Sequence, residues 1–188
     1  MKIYTKRGDQ GNTNLIGGRT VKKNDLRVHA YGEVDELNSE VGLLVALMKE
    51  EKELESLVSP LQTIQHHLFD IGSLLADRNN KLELSFPDSY IQDLETVIDI
   101  LNDKLPPIDY FVLPGGAKAA AQAHVSRTVT RRVERQLVEL STKEEINKSA
   151  LVYINRLSDY FFVLARFINL TLNHDEVYYT NTGKVFHN

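Results

Sequence analysis

Residues Asn147–Asn173 read NKSALVYINRLSDYFFVLARFINLTLN. Leu151, Ile154, Leu157, Phe161, Leu164, Ala165, Ile168 and Leu172 recur there at steps of three and four. That period places them on one face of a helix, and a seam this long suits bundle packing. Moving toward the N-terminus, the same period returns four times. A helix is predicted from just after Pro114-Gly115-Gly116 to about Leu140. Another covers roughly Asp88–Leu105, with Ile91, Leu94, Val97, Ile98 and Leu101, and Pro106-Pro107 ends it. A third has Leu61, Ile64, Leu68, Ile71, Leu74 and Leu75. It opens after Ser59 with Pro60 in its first turn, where proline's missing N–H costs nothing. The first helix is expected from Asp35, with Leu37, Val41, Leu44, Val45 and Met48.

Five long helices and no strand series predict an all-α, antiparallel five-helix bundle. We expect one domain over residues 1–188: a loop region at 1–30, the bundle at 31–173 and a tail at 174–188. The loop region holds Gly8, Gly11, Gly17 and Gly18, and also Lys2, Lys6, Arg7, Arg19, Lys22, Lys23 and Arg27, so it reads as loop and not helix. In the tail, Val177-Tyr178-Tyr179 and Val185-Phe186 read as extended segments able to fold back.

Composition narrows the function. The chain has 42% hydrophobic and 26% charged residues, ordinary for a globular protein. It has no cysteine, which excludes disulfides, thiolate catalysis and Cys-ligated zinc and fits a reducing compartment. The start, Met1-Lys2-Ile3-Tyr4-Thr5-Lys6-Arg7, turns polar at once, and no run of about 18 apolar residues follows. Neither a signal peptide nor a membrane span is therefore expected, and the expected location is the cytoplasm. A net charge of −4 and a pI near 5.9 argue against general nucleic-acid binding.

Five motifs carry candidate chemistry. Thr5-Lys6-Arg7-Gly8-Asp9-Gln10-Gly11-Asn12-Thr13 reads two ways. Glycine amides can line an anion site, with Lys6, Arg7 and Lys23 adding charge and Thr5 and Thr13 offering hydroxyls; a plain flexible segment is the alternative. It is not a Walker loop. Arg127, Arg131 and Arg135 stand at i, i+4 and i+8, with Arg132 and Glu134 beside them. Three guanidiniums on one helix face suit a polyphosphate; a solvated face paired with neighbouring acids is the alternative. Asp35-Glu36-Leu37-Asn38, read as a helix start, is either capping by acids or a source of an ion pair to those arginines. Asn155 and Asp159 share a face within the apolar seam, as a buried polar network or as ligand contacts. Phe111-Val112-Leu113-Pro114-Gly115-Gly116 is either a firm helix-entry loop or an apolar wall for a large flat ligand. No Glu-x-x-His pair occurs, which weakens a di-iron reading. His66 and His67 are adjacent and read as surface or packing residues rather than ligands.

Together these motifs resemble the PduO-type ATP:cob(I)alamin adenosyltransferases. The resemblance rests on Thr5–Leu15, Lys23–Ser39 (KNDLRVHAYGEVDELNS), Phe111–Gly116, Arg127–Arg135 (RTVTRRVER) and Tyr153–Arg166 (YINRLSDYFFVLAR), in order along nearly the whole chain. It implies a homotrimer with active sites between subunits, and transfer of the 5′-deoxyadenosyl group of ATP to cob(I)alamin with Mg2+ on the phosphates. It also implies roles: Thr5, Lys6, Arg7, Gly8, Asp9, Gly11 and Thr13 closing over ATP, Lys23 near the phosphates, and Arg131 binding phosphate with Glu134 and Asn155 completing the nucleotide site. Asp35 and Arg127 look like an intersubunit ion pair at the edge of the cobalamin site. Phe111 looks like the aromatic covering the lower corrin face, and Phe186 in the tail is expected as a lid on the cobalamin. A reductase that supplies the cob(I) state is an expected partner. Glu33 departs from the threonine found in many members. Two rivals stand beside this reading: a non-catalytic ATP sensor on the same bundle, and a purely structural bundle.

Overall fold

The computed structural model describes residues 2–181, so Phe186 lies outside the described residues. Among them are five α-helices: α1 Leu26–Met48, α2 Val58–Ala76, α3 Ser89–Asn102, α4 Lys118–Ser141 and α5 Lys148–Thr171, with a 3-10 turn at Lys52–Leu57. Helix α1 packs on α2 and α4, α4 on α5, and α5 on α3. The layers therefore run α2, α1, α4, α5, α3. The long seam of α5 explains this order: Tyr153, Ile154, Leu157, Phe161, Leu164, Ala165 and Ile168 are all buried. Each such large apolar side chain contributes roughly 1.5–3 kcal/mol by leaving water.

One boundary differs from expectation. Helix α1 starts at Leu26, not Asp35, because Asp25 caps it: its carboxylate accepts from Arg27 N–H at 2.9 Å. The apolar period continues backward through Val34 and Ala30 to Arg27, a charged residue only 4% exposed. Asp35 is consequently an exposed residue in mid-helix, and the capping account of it does not apply. Helix α5 is capped as its sequence suggests, with Asn147 Oδ1 accepting from Ala150 N–H at 2.9 Å.

Two short antiparallel ladders frame the bundle. Strand β1 (Asn12–Asn14) pairs with β2 (Thr20–Lys22), placing Thr13 opposite Val21. Strand β3 (Phe111–Val112) pairs with β4 (Tyr178–Tyr179), placing Phe111 opposite Tyr179. Tyr178-Tyr179 thus folds back on Phe111-Val112, while Val185-Phe186 lies outside the described residues. No helix among the described residues is long and apolar enough to cross a membrane.

Candidate functional site

The N-terminal loop is folded by its own backbone. Gly11 N–H donates to Gly8 O at 3.1 Å, and Lys23 N–H donates to Gly11 O at 2.9 Å. Lys6 and Gly11 adopt left-handed φ of 60° and 77°. Both sit at turns, where backbone of this kind can expose amides to an anion. Lys23 lies over this turn: a Cβ on Gly8 would stand 3.1 Å from Lys23 Nζ. The structure therefore brings Lys23 against Gly8 and Gly11 of the loop. The loop is mostly exposed but anchored behind itself, where Leu15 is buried and Ile16 N–H donates to Ala76 O at 3.0 Å.

Helix α4 displays the arginine row. Arg127 is half-buried with Nε in contact with no acceptor, and burial, then Arg131, lowers its pKa from the usual guanidinium range. It remains a cation at neutral pH. Arg131 is exposed, and its carbonyl accepts from Arg135 Nη1 at 3.0 Å. Arg132 behaves differently. It points to α1, where Glu33 and Glu36 both engage it, and these carboxylates raise its pKa. Glu33, the residue that departs from the common threonine, thus has a structural partner in this chain. Beside the row, Asn155 Nδ2 donates to Glu134 Oε1 at 2.7 Å across α4 and α5.

Asn155 and Asp159 are both exposed, so of the two readings offered for them the buried polar network does not form. Asp159 instead accepts from Arg156 Nη1 at 3.1 Å, and Glu95 accepts from Arg156 Nε at 2.9 Å. His67 packs as expected: it stacks on Tyr90 at 3.9 Å and shares a 3.0 Å hydrogen bond with the Tyr153 hydroxyl.

Phe111 sits at the edge of an apolar patch. It is 49% exposed and is flanked by exposed Leu113, Val177, Tyr178 and Tyr179. The loop beneath is clamped by Asn169, whose Oδ1 accepts from Ala117 N–H and whose Nδ2 donates to Gly115 O, both at 3.0 Å. Gly116, at φ 95°, leaves no room for a Cβ because the Asn169 amide occupies that space.

Several functional candidates escaped sequence reasoning. His124 is one turn before Arg127, 2% exposed, with neither ring nitrogen partnered. Burial, and next Arg127, push its pKa down to about 4 against the opposing pull of Glu176. Its spacing of three from Arg127 was the available signal. Asn169 offered none, since its partners lie more than fifty residues away in sequence.

Other predicted pieces remain apart within the chain. No hydrogen bond or ion pair among the described residues joins the Thr5–Thr13 loop to the arginine row, nor Asp35 to Arg127. A cavity of about 470 Å3 lies at the base of the bundle, lined by Arg27, Asp77, Arg78, Glu145 and Asn147, and holds none of the predicted residues. Among the described residues no three His, Asp or Glu side chains cluster to hold a metal.

Fold and site define a helical bundle that carries a glycine-containing N-terminal loop, an arginine-bearing helix face and an exposed patch around Phe111. The family model described as "Cobalamin adenosyltransferase" matches residues 3–168. A corrinoid adenosyltransferase of Bacillus subtilis is 45% identical over 186 residues, covering 99% of this chain and 96% of the relative. A cobalamin adenosyltransferase of Cupriavidus metallidurans is 47% identical over 169 residues, covering 89% and 88%. Among solved structures, a phenylalanine-to-histidine variant of the PduO-type ATP:corrinoid adenosyltransferase from Lactobacillus reuteri, complexed with cobalamin and ATP, superposes with a TM-score of 0.92 at 43% identity, covering 98% of this chain and 100% of that one. The chain belongs to the cobalamin adenosyltransferase family.

Proposed function

We propose that this chain transfers the 5′-deoxyadenosyl group of ATP to the cobalt of cob(I)alamin, giving adenosylcobalamin and triphosphate. The cobalt lone pair attacks C5′, the C5′–O bond breaks, and the triphosphate leaves with the bonding electrons. Cob(I)alamin is nucleophilic enough that the protein supplies no general base. Its work is to hold C5′ in line and to receive the leaving charge.

The observation that carries this reading is Arg127. It is a half-buried guanidinium with an unpartnered Nε, next to the exposed Arg131. Two adjacent cations on one face suit anions from outside the chain, and a triphosphate with a neighbouring carboxylate would supply them. In this reading the Thr5–Thr13 loop, with Lys23, closes over ATP, and Arg131 binds phosphate. The Glu134–Asn155 pair orients the nucleotide, and Phe111 walls the lower corrin face. Excluding an axial ligand with an apolar wall eases reduction of cob(II)alamin, the step for which a reductase partner is required.

The reading includes a homotrimer in the cytoplasm. The separation of loop, arginine row and Asp35 within one chain supports it, because a neighbouring copy can bring Asp35 to Arg127 and the loop to Arg131. The absence of a three-carboxylate or histidine cluster among the described residues fits a Mg2+ ion that arrives on the phosphates of ATP, where it neutralises leaving-group charge.

The test is anaerobic. Purified protein is mixed with ATP, Mg2+ and chemically reduced cob(I)alamin, and the visible spectrum is followed for light-sensitive adenosylcobalamin. Formation with triphosphate release is expected. ATP binding without product would favour a sensor and remove Phe111 and Asp35 from the site.

A further inference from the structure

One buried ion pair ties together the two segments that lead into β3 and β4. Arg166 on α5 and Glu176 just beyond it have side chains only 4% and 10% exposed. Arg166 Nε donates to Glu176 Oε1 at 2.7 Å, and Nη2 donates to Oε2 at 3.2 Å. The Tyr178 hydroxyl donates to the same Oε2 at 3.1 Å. Arg166 Nη2 also donates to Pro106 O at 2.8 Å. A single guanidinium therefore grips the chain five residues before Phe111 and two residues before β4.

The strands themselves are too short to hold each other. Strands β3 and β4 have two residues each, extended by Leu113 N–H donating to Val177 O at 2.8 Å. A ladder of this length is marginal in water. Two anchors flank it: the Asn169 clamp at the far end of β3 and the Arg166–Glu176 pair at the near end.

We propose that Glu176 and Arg166 are positioning residues that set β4 against β3 and thereby fix Phe111 for the corrinoid. The proposal rests on the functional reading above, in which Phe111 faces the corrin. Neither residue touches substrate in it. Their effect passes through Pro106 and Tyr178 to the strand pair.

The test uses three variants of the full chain: Glu176→Gln, Glu176→Ala, and the double replacement Arg166→Met with Glu176→Leu. Removing one partner of a buried pair leaves an uncompensated charge, whereas apolar replacement of both partners is often tolerated. The double variant therefore keeps the experiment interpretable if Glu176→Ala fails to fold. Two readouts are taken. In amide exchange, Leu113 N–H and the β3–β4 amides are expected to exchange ~10-fold faster or more in the double variant, with the α4 and α5 cores unchanged. In catalysis, kcat with chemically reduced cobalamin is expected to fall by ~10- to 100-fold, as for a misplaced group. ATP affinity should stay within ~2-fold of the parent, because the loss is confined to the corrinoid side. Glu176→Gln keeps an acceptor for Arg166 but removes its countercharge, so exchange at Leu113 should again be faster than in the parent. Unchanged exchange at Leu113 overturns the anchoring role. Faster exchange with unchanged kcat overturns the positioning role. If the parent itself forms no adenosylcobalamin, that failure belongs to the functional reading, and the exchange result alone decides whether the pair anchors the strands.

Discussion

Gly116→Ala tests the clamp under the aromatic wall. The residue has φ 95°, in the left-handed half of conformational space. A side chain there costs about 1–2 kcal/mol in backbone strain. The added Cβ would also occupy the place of the Asn169 amide. Asn169 is 2% exposed and fixed within α5, so it cannot swing away without giving up its bonds to Ala117 N–H and Gly115 O. Two such bonds contribute about 0.5–1.5 kcal/mol each. The expected destabilisation is therefore about 2–5 kcal/mol, the sum of backbone strain and lost bonds. Gly115→Ala is the control: nothing lies within 4 Å of a Cβ at that position. It should be neutral or stabilise by up to about 1 kcal/mol through the unfolded state. Urea unfolding midpoints at constant m-value compare the two. Equal midpoints for Gly116→Ala and Gly115→Ala would refute the clamp.

Other predictions separate the two halves of the proposed site. Arg131→Ala should lower ATP affinity by ~10- to 100-fold, the worth of charged hydrogen bonds to phosphate, measured by equilibrium titration. Phe111→Ala should lower turnover while ATP affinity holds; unchanged turnover would remove it from the corrin wall. Asp35→Asn should weaken cobalamin binding or turnover, and a variant with parental kinetics would exclude Asp35 from the site. His124 predicts an acid limb. Its folded pKa of about 4 lies below the usual 6.5, so the unfolded chain binds the extra proton between those values. Its stabilising contribution is complete above pH 6.5 and is lost as pH falls toward 4, up to about 3 kcal/mol. His124→Leu should flatten that limb in pH-dependent unfolding, and a limb identical to the parent's would assign it to other groups.

All five helices were legible because their apolar residues keep a period near 3.6 over many turns. What failed was the start of α1. The signal was Asp25, a good cap, but the next inward residue is Arg27, and a buried arginine breaks an apolar pattern. It is tolerated because Glu144 accepts from it at 2.7 Å and Leu75 O at 2.9 Å. Those partners come from the far end of the chain and from another helix, so no local reading could supply them. The same limit hid Asn169 and Glu176. Each is an ordinary polar residue whose meaning lies in what the fold places opposite it.

The arginine row shows why site residues are harder to read than helices. Spacing places Arg127, Arg131 and Arg135 on one face, but Arg132 is only one residue, or about 100°, away from Arg131. That rotation changes its fate: Arg132 meets Glu33 and Glu36 of α1, whereas Arg127 keeps an unpartnered Nε. Of two readings of one basic run, the face with acidic partners holds for Arg132, and the ligand face is the one proposed for Arg127 and Arg131. The unmatched groups then have a common logic. An exposed Asp35, a half-buried Arg127, and a glycine loop without contact to the arginine row are each incomplete alone. In a ring of three copies the interface is heterologous, so one surface of each chain meets a different surface of the next. In the proposed trimer, Asp35 and the loop of one copy would face Arg127 and Arg131 of its neighbour, so that the same two surfaces would complete every site. The cavity at the base of the bundle carries none of these residues, so on the proposed reading the size of a cavity within one chain is no guide to where the chemistry would occur.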